Sequence, residues 1–589
     1  MEGPLPRATD QVVARSNQRL GEAGLVALVA LLSTVLYVGR IGFYTDDWFF
    51  IGALFQHAPD HSYLGLLWQF TDSNTLPRPV QLVYLTTLYY FFGDNPLGYH
   101  IVNSLSIAAT GALFYLLLRE LRLAVRMALA AGLLFVLLPH ASASRYWYAL
   151  FQANLSLLFF CLSVYADLRL LRAAPGRRTL WQILGILGLL LSCLSYELLI
   201  PLFALAPLLA WHQQRQLAAH GEATAGPRTP LLLLARNWLL LAAVMGFKIF
   251  TTNRAEGGFD ALGQLVWFAG LQLDAFEDLL IGPYGVRMPR MVQRALFEYF
   301  DPVALLLSLA VGALVFVALF WRPSHPDDRL PELRTLLRLA ALGLVLFVAG
   351  YAIFLTNRQA IITATGINNR SSSGAVFGIT LLIVAGAGIA ARLLRREQLV
   401  NLAFALIIAA YAGGSTLAVT TLGNLWATAN QEQRAIMAEL RTRFPTPAHG
   451  SSIIIDGYCP YIGPAPVFEA FWDTSGMLRE LYDDPTLQGD TINYRTEVHP
   501  DGLYTRMYLN HEVRTPATEA AAAKGELRRL ELVPFFVHPY GKLWIYNRAA
   551  NVVVQIPDAA AASAYLARYN PTQDSGCGNF RAGNGAFVW

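Results

Sequence analysis

The sequence predicts a mainly α fold: a polytopic transmembrane helical bundle of about eleven helices, N-terminus inside and C-terminus outside, with a C-terminal extracytoplasmic α+β domain. Composition is the first observation behind this expectation. Hydrophobic residues make up 55% and charged residues 14% of the 589, and mean hydropathy is +0.41, whereas soluble domains average about 25% charged. Secondly, apolar runs recur as far as residue 421, most of them close to the ~20 residues that a spanning helix needs. Thirdly, arginines crowd into alternate loops, as cytoplasmic loops do.

In chain order, residues 1–21 form an N-terminal tail with Arg7, Arg15 and Arg19, expected in the cytoplasm. The apolar run 25–41 is long for a signal h-region and no small-residue cleavage site follows it, so it is expected to stay as the first helix. A long outer loop, 42–97, comes next. Its apolar pieces at 64–68 and 80–85 are too short to span and belong in the interface. Further spans are expected near 99–119, 127–146, 148–168, 180–196, 198–212, 236–252, 303–321, 335–356, 374–393 and 398–421. The loops assigned to the inner side carry Arg119, Arg122 and Arg126; Arg169, Arg172, Arg177 and Arg178; Arg215, Arg228 and Arg236; Arg322, Arg329, Arg334 and Arg338; and Arg392, Arg395 and Arg396. The outer side then holds 42–97, the 139–147 corner, 253–301 and 357–373. The membrane unit is therefore 22–422.

Residues 423–589 make up the outer domain. Short β-rich runs at 452–456, 542–546 and 552–556 are bounded by Gly, Pro and Asn, and the Ala-rich stretches 517–523 and 558–568 are expected to be short helices. Of four cysteines, Cys161 and Cys193 lie in apolar runs, as small buried hydrophobes. Cys459 and Cys577 lie in the polar tail and can pair, which would imply an oxidising compartment. A net charge of +4 is too small to suggest a nucleic-acid partner. There is no Walker loop, dinucleotide fingerprint or zinc-type spacing, and no internal repeat of the kind that builds secondary transporters.

The chemistry-bearing stretch is Gly42-Phe43-Tyr44-Thr45-Asp46-Asp47-Trp48-Phe49-Phe50. Two acids sit where the first helix leaves the bilayer, among rings that suit an interface; the simplest alternative is a solvated exit turn. Other outer features are Arg78-Pro79, the run from Phe92-Gly93 through Tyr99-His100 to Asn103, and Leu194-Ser195-Tyr196-Glu197 with Pro201. Thr356-Asn357-Arg358 and Asn368-Asn369-Arg370-Ser371 flank the last short outer loop. Outer histidines His57, His61, His100 and His140 raise a metal hypothesis. Pro59 breaks the spacing of the first two, so polar loop contacts are the better expectation.

These motifs, in this order, resemble the GT-C superfamily of membrane glycosyltransferases over about residues 20–420; the tail carries no such resemblance. The superfamily includes protein O-mannosyltransferases and the lipid A aminoarabinose transferase. The resemblance implies an inverting transferase in the inner (plasma) membrane, with its cleft and tail on the periplasmic face. Its partners would be a polyprenyl-phosphate-linked sugar donor, the bilayer and a cell-envelope acceptor hydroxyl. No cofactor is required, with a divalent metal as a variant. Asp46 would be the general base, and Asp47 would either share that work or orient the backbone. Arg370 best matches the donor-phosphate position, with Arg358, Lys248 and Arg290 in support, since guanidinium forks pair with phosphate. Glu197, Arg78, His100 and Trp48 would support the substrate, although Glu197 could equally be an ion-pair partner for one of the outer cations. A flippase for a lipid-linked saccharide and a non-enzymatic scaffold subunit are the alternatives from other classes. The flippase would place ionisable groups mid-membrane, whereas here they cluster at the outer ends.

Overall fold

The computed structural model describes residues 8–56, 62–71, 75–222, 225–251, 261–321, 329–356, 360–492, 496–505 and 536–569. Helix α1 (Ala8–Leu32) begins earlier and ends sooner than the apolar run suggests, giving way to turns up to Arg40. The cause is local. Ser33 and Thr34 donate their hydroxyls to Ala30 O at 2.7 Å and Leu31 O at 2.8 Å, an alternative to the helical ladder. The first outer loop is itself helical: α2 (Asp46–Gln56), α3 (Tyr63–Gln69) and α4 (Pro79–Phe92). Pro79 opens α4 where no amide is needed, and Ser62 caps α3 by accepting from Gly65 N at 3.1 Å.

The bundle then runs through α5 (Pro96–Glu120), α6 (Val125–Leu137), the one-turn α7 (Ala143–Tyr146), α8 (Phe151–Leu170), α9 (Pro175–Ser195), α10 (Ile200–Ala219) and α11 (Thr229–Thr251). It continues with α12 (Ala261–Ala275), α13 (Met288–Phe297), α14 (Pro302–Phe320), α15 (Leu333–Tyr351), α16 (Val376–Arg392) and α17 (Glu397–Arg443). A helix lies in each stretch expected to span, although α1 covers only the first half of 25–41 and α6 ends at Leu137 within 127–146. Among the described residues, seven helices are long and apolar enough to cross a membrane, or up to eight if the bent pair Ile367–Gly374 and Val376–Arg392 counts as one span. This is a multi-pass membrane protein. The shortfall from about eleven has physical reasons: α1 stops at Leu32, α6 has only 13 residues, and α10 carries Pro207 and the polar run His212-Gln213-Gln214-Arg215 in its C-terminal half.

The segments assigned to the inner side gather at one end. Glu120, 2% exposed, is flanked by Arg172 at 3.2 Å, Arg169 at 3.7 Å and Arg19 at 4.0 Å. At the opposite end the first outer loop, the 139–150 corner, the 367–374 turn and the tail pack together.

The tail is α+β. Strand β1 (Ser452–Asp456) pairs in parallel with both β4 (Gln488–Thr491) and β8 (Leu543–Asn547), and β9 (Val552–Ile556) lies antiparallel to β8. The sheet order is β4-β1-β8-β9. Between β1 and β4 the chain forms the small hairpin β2 (Tyr461–Ile462) and β3 (Ala465–Pro466), turned at Gly463 with φ 56°, and then α18 (Phe471–Tyr482). A second sheet joins β5 (Glu497–Val498), β6 (Gly502–Thr505) and β7 (Phe536–Pro539). Helix α19 (Ala559–Tyr569) closes the described tail. It matches the expectation at 558–568, whereas the one at 517–523 lies outside the described residues. Apolar residues of β1, β8 and β9 pack with α19 around Ile454, Ile545 and Tyr565.

Candidate functional site

The acid pair begins a helix rather than a loop turn. Thr45 takes φ 44°, and α2 starts at Asp46 with both acids in its first turn, where a carboxylate is favoured by the free N–H groups. The two then part. Asp47 is fully buried and accepts from the backbone N–H of Tyr44 at 2.9 Å, Ala149 at 2.6 Å and Tyr148 at 3.3 Å. It therefore fastens the first outer loop to the corner between α7 and α8. Asp46, one residue on and so pointing elsewhere, is only half-buried. Burial pushes its carboxyl above the ordinary range, while Arg370 and Trp472 pull it back.

Arg370 is carried on the 3-10 segment Ile367–Gly374. Its neighbour Asn369 is fully buried and anchors that segment. The Asn369 amide donates to Ala364 O at 2.8 Å and His140 O at 3.1 Å, and its carbonyl accepts from Ala143 N at 3.3 Å. Arg370 thus projects beside the corner, with its guanidinium carbon 5.2 Å from the centre of the Trp147 ring, a cation–π distance.

The tail supplies a third wall. Helix α18 lies on α2 with glycines at the crossing: a Cβ on Gly52 would stand 2.7 Å from Gly476 Cα. The start of α18 is thereby brought to the start of α2. Asp473 caps α18, accepting from Glu469 N at 2.8 Å and Ala470 N at 3.1 Å. Glu469 bonds the Tyr461 hydroxyl and feels the charges of both Asp46 and Arg370. Burial, with Asp473 next to it, pushes Glu469 up to about 8, and burial pushes Asp473 up to about 7. The Trp472 indole N–H is buried and has no hydrogen-bond partner of normal geometry among the described residues, yet lies near enough to Asp46 to favour its ionised form.

The other sequence candidates fall elsewhere. Glu197 forms its own cluster, accepting from Arg78 Nε at 3.0 Å and from Lys248 Nζ at 3.2 Å, while Lys248 also donates to Pro77 O at 3.0 Å. Arg78 in turn lies 4.8 Å over the Tyr196 ring. Burial raises the Glu197 carboxyl, but Arg78 and Lys248 override it and hold it at about 2. Lys248 is therefore committed to a carboxylate and a carbonyl. His100 is buried in α5 with Nε2 3.1 Å from Gly42 O and its ring edge-on to Phe151, and Trp48 packs edge-on to Phe43; both hold the loop in place. Arg290 is exposed on α13. Arg358, His57, His61 and Cys577 lie outside the described residues. Cys459 is disulfide-bonded, and Cys161 and Cys193 are buried free thiols. His140 turns its Nε2 to Leu279 O at 2.9 Å. Among the described residues no group of three or more His, Cys, Asp or Glu is placed to hold a metal ion.

Among the solved structures that resemble this chain are two of one protein and one of another. ArnT from Cupriavidus metallidurans in the apo state matches at 15% identity over 80% of this chain and 89% of that one, with TM-score 0.33. The same protein bound to undecaprenyl phosphate matches at 14% identity over 82% and 90%, with TM-score 0.32. The Archaeoglobus fulgidus oligosaccharyltransferase, in a complex with Zn and sulfate, matches at 13% identity over 78% of this chain and 61% of that one, with TM-score 0.36. No family model matches the sequence, and no curated protein does.

Sequence reasoning missed Glu469, Trp472 and Asp473. A signal was present. Phe468-Glu469-Ala470-Phe471-Trp472-Asp473 repeats the mixture of acids and rings seen in Tyr44-Thr45-Asp46-Asp47-Trp48-Phe49.

Proposed function

We propose that this protein is an inverting membrane glycosyltransferase that moves a sugar from a polyprenyl-phosphate donor to a hydroxyl on a cell-envelope acceptor, at the extracytoplasmic end of the bundle. The observation that carries the proposal is that Arg370 comes near enough to Asp46 to favour its ionised carboxyl, at the junction of the first outer loop, the 367–374 segment and the tail. A single displacement at an anomeric carbon needs a base for the incoming hydroxyl and a cation for the departing phosphate.

Asp46 takes the acceptor's proton as the acceptor oxygen forms its bond to the anomeric carbon. The bond from that carbon to the phosphate oxygen breaks, its electron pair stays with the phosphate, and Arg370 meets the charge. Asp47 holds the loop that presents Asp46. The Cys459 disulfide supports this reading, because such bonds persist in oxidising compartments.

The test is binding of a polyprenyl-phosphate sugar to the purified protein, wild type against Arg370→Ala, followed by transfer assays with Asp46→Asn. Saturable binding that collapses in a well-folded Arg370→Ala, together with lost transfer in Asp46→Asn, is the expected result. No binding across several donor sugars would overturn it.

A further inference from the structure

The cation that would meet the donor phosphate does not stand alone. Glu469 comes from the tail, yet it lies within electrostatic reach of both Arg370 and Asp46. Its position is built rather than incidental. The hairpin β2–β3 puts the Tyr461 hydroxyl on its Oε2, Asp473 accepts from its backbone N–H at 2.8 Å, and α18 is pressed against α2 at Gly52 and Gly476. Glu469 is 1% exposed. An acid held there has two states with different consequences. Neutral, it leaves Asp46 as a carboxylate facing the guanidinium; ionised, it sets a further negative charge against the same cation, and an anionic ligand then meets repulsion in low-dielectric surroundings.

We propose that Glu469 is a positioning residue of the donor site: its carboxyl is neutral when the polyprenyl phosphate binds at Arg370, and its ionisation drives that phosphate off. This rests on the donor assignment above. The groups facing it are Asp473 on α18, Tyr461 on β2, Asp46 at the start of α2 and Arg370 on the 3-10 segment. Burial and the two aspartates favour its neutral form, while Tyr461 and Arg370 oppose them, and the balance puts its titration at about 8. The tail then sets the charge of the site as well as covering it.

The experiment measures binding of undecaprenyl phosphate to the full chain between pH 7.5 and pH 9.0. A phosphate monoester has completed its second ionisation, at about pH 6, before that window opens, so the ligand's charge is constant. A single group titrating at about 8 predicts that wild-type affinity falls about 8-fold across the window. Glu469→Gln, which cannot ionise, should change less than about 2-fold and keep its affinity at the alkaline end. Tyr461→Phe removes a hydrogen bond that favours the ionised form, so its fall should move to higher pH. A Glu469→Gln protein that weakens in parallel with the wild type overturns the proposal and leaves the donor assignment standing. Wild-type protein that binds no undecaprenyl phosphate at any pH overturns both. If Glu469→Gln does not fold, Tyr461→Phe decides, and a fall that stays in place or moves down overturns the proposal.

Discussion

Gly476 of the tail approaches the first outer loop so closely that a Cβ on it would stand 2.1 Å from the Trp48 carbonyl oxygen. That carbonyl belongs to backbone and cannot swing aside, so any side chain at 476 must push α18 off α2. Gly476→Ala is therefore expected to undock the start of α18 from Asp46 and to lower transfer at least about 10-fold, the scale of losing a well-placed group. The spans should stay folded. Limited proteolysis that cuts the tail faster in the variant, with unchanged helical content by circular dichroism, checks this; unchanged activity would show that docking is not needed.

Asp46 and Asp47 should separate cleanly on mutation. Asp46→Asn keeps shape and loses the base, so transfer should drop by about 100-fold or more with thermal stability unchanged. Asp47→Ala strands the N–H groups of Tyr44, Tyr148 and Ala149, each unmade buried bond costing about 1–3 kcal/mol. Its melting temperature should fall markedly. Thermal unfolding and transfer measured on both variants would sink this division if Asp47→Ala proved as stable as wild type.

Glu197→Gln leaves Arg78 and Lys248 partly buried without a counter-charge, and breaking such a pair costs on the order of 3 kcal/mol. The linkage has a definite sign. The folded carboxyl sits at about 2, below its unfolded value, so its contribution is present above the unfolded carboxylate pKa and is lost as pH falls towards 2. Wild type should thus lose stability on acidification more steeply than Glu197→Gln, which unfolding curves at descending pH would reveal.

The tail acids carry the opposite sign. Glu469 and Asp473 titrate higher folded than unfolded, so the folded state holds protons that the unfolded state has released. Stability from this region is largest below the unfolded carboxylate pKa and declines as pH rises through about 7 and about 8. The unfolding transition of the tail should therefore lie at higher temperature at pH 6 than at pH 9. A transition that rises with pH would refute this.

The helical architecture was legible because hydrocarbon leaves the chain little choice: apolar runs and alternating arginines announce themselves. That an acid pair follows the first apolar run was legible too, but not that α1 stops at Leu32 and that Asp46 opens a helix of its own. What could not be foreseen was anything depending on long-range docking. Ser33 and Thr34 end α1 early through bonds to their own backbone, which an apolar count ignores. Lys248 looks like a free outer cation until Glu197 and Pro77 are seen beside it. Glu469 is separated from Asp46 by almost the whole membrane unit, and only the Gly52–Gly476 crossing brings the two together.

Helix α17 runs unbroken for 47 residues, about 70 Å at the helical rise. Along it Trp426 stacks on Tyr146 and receives the Tyr44 hydroxyl on its carbonyl, Asn430 reaches Arg40 O, Gln433 donates to Val467 O and Glu439 accepts from Tyr546. One axle therefore runs from the bilayer through the acid-bearing loop into the tail, and angular phase along it is shared by all three. Adding one residue between Asn430 and Gln433 would rotate everything beyond by about 100°, turning Glu469 away from Arg370 although no residue of either wall had changed. Adding seven would nearly restore the angle, about 20° short of two full turns, while lifting the tail by about 10 Å. The spacing between the last span and the tail is thus constrained in both azimuth and height.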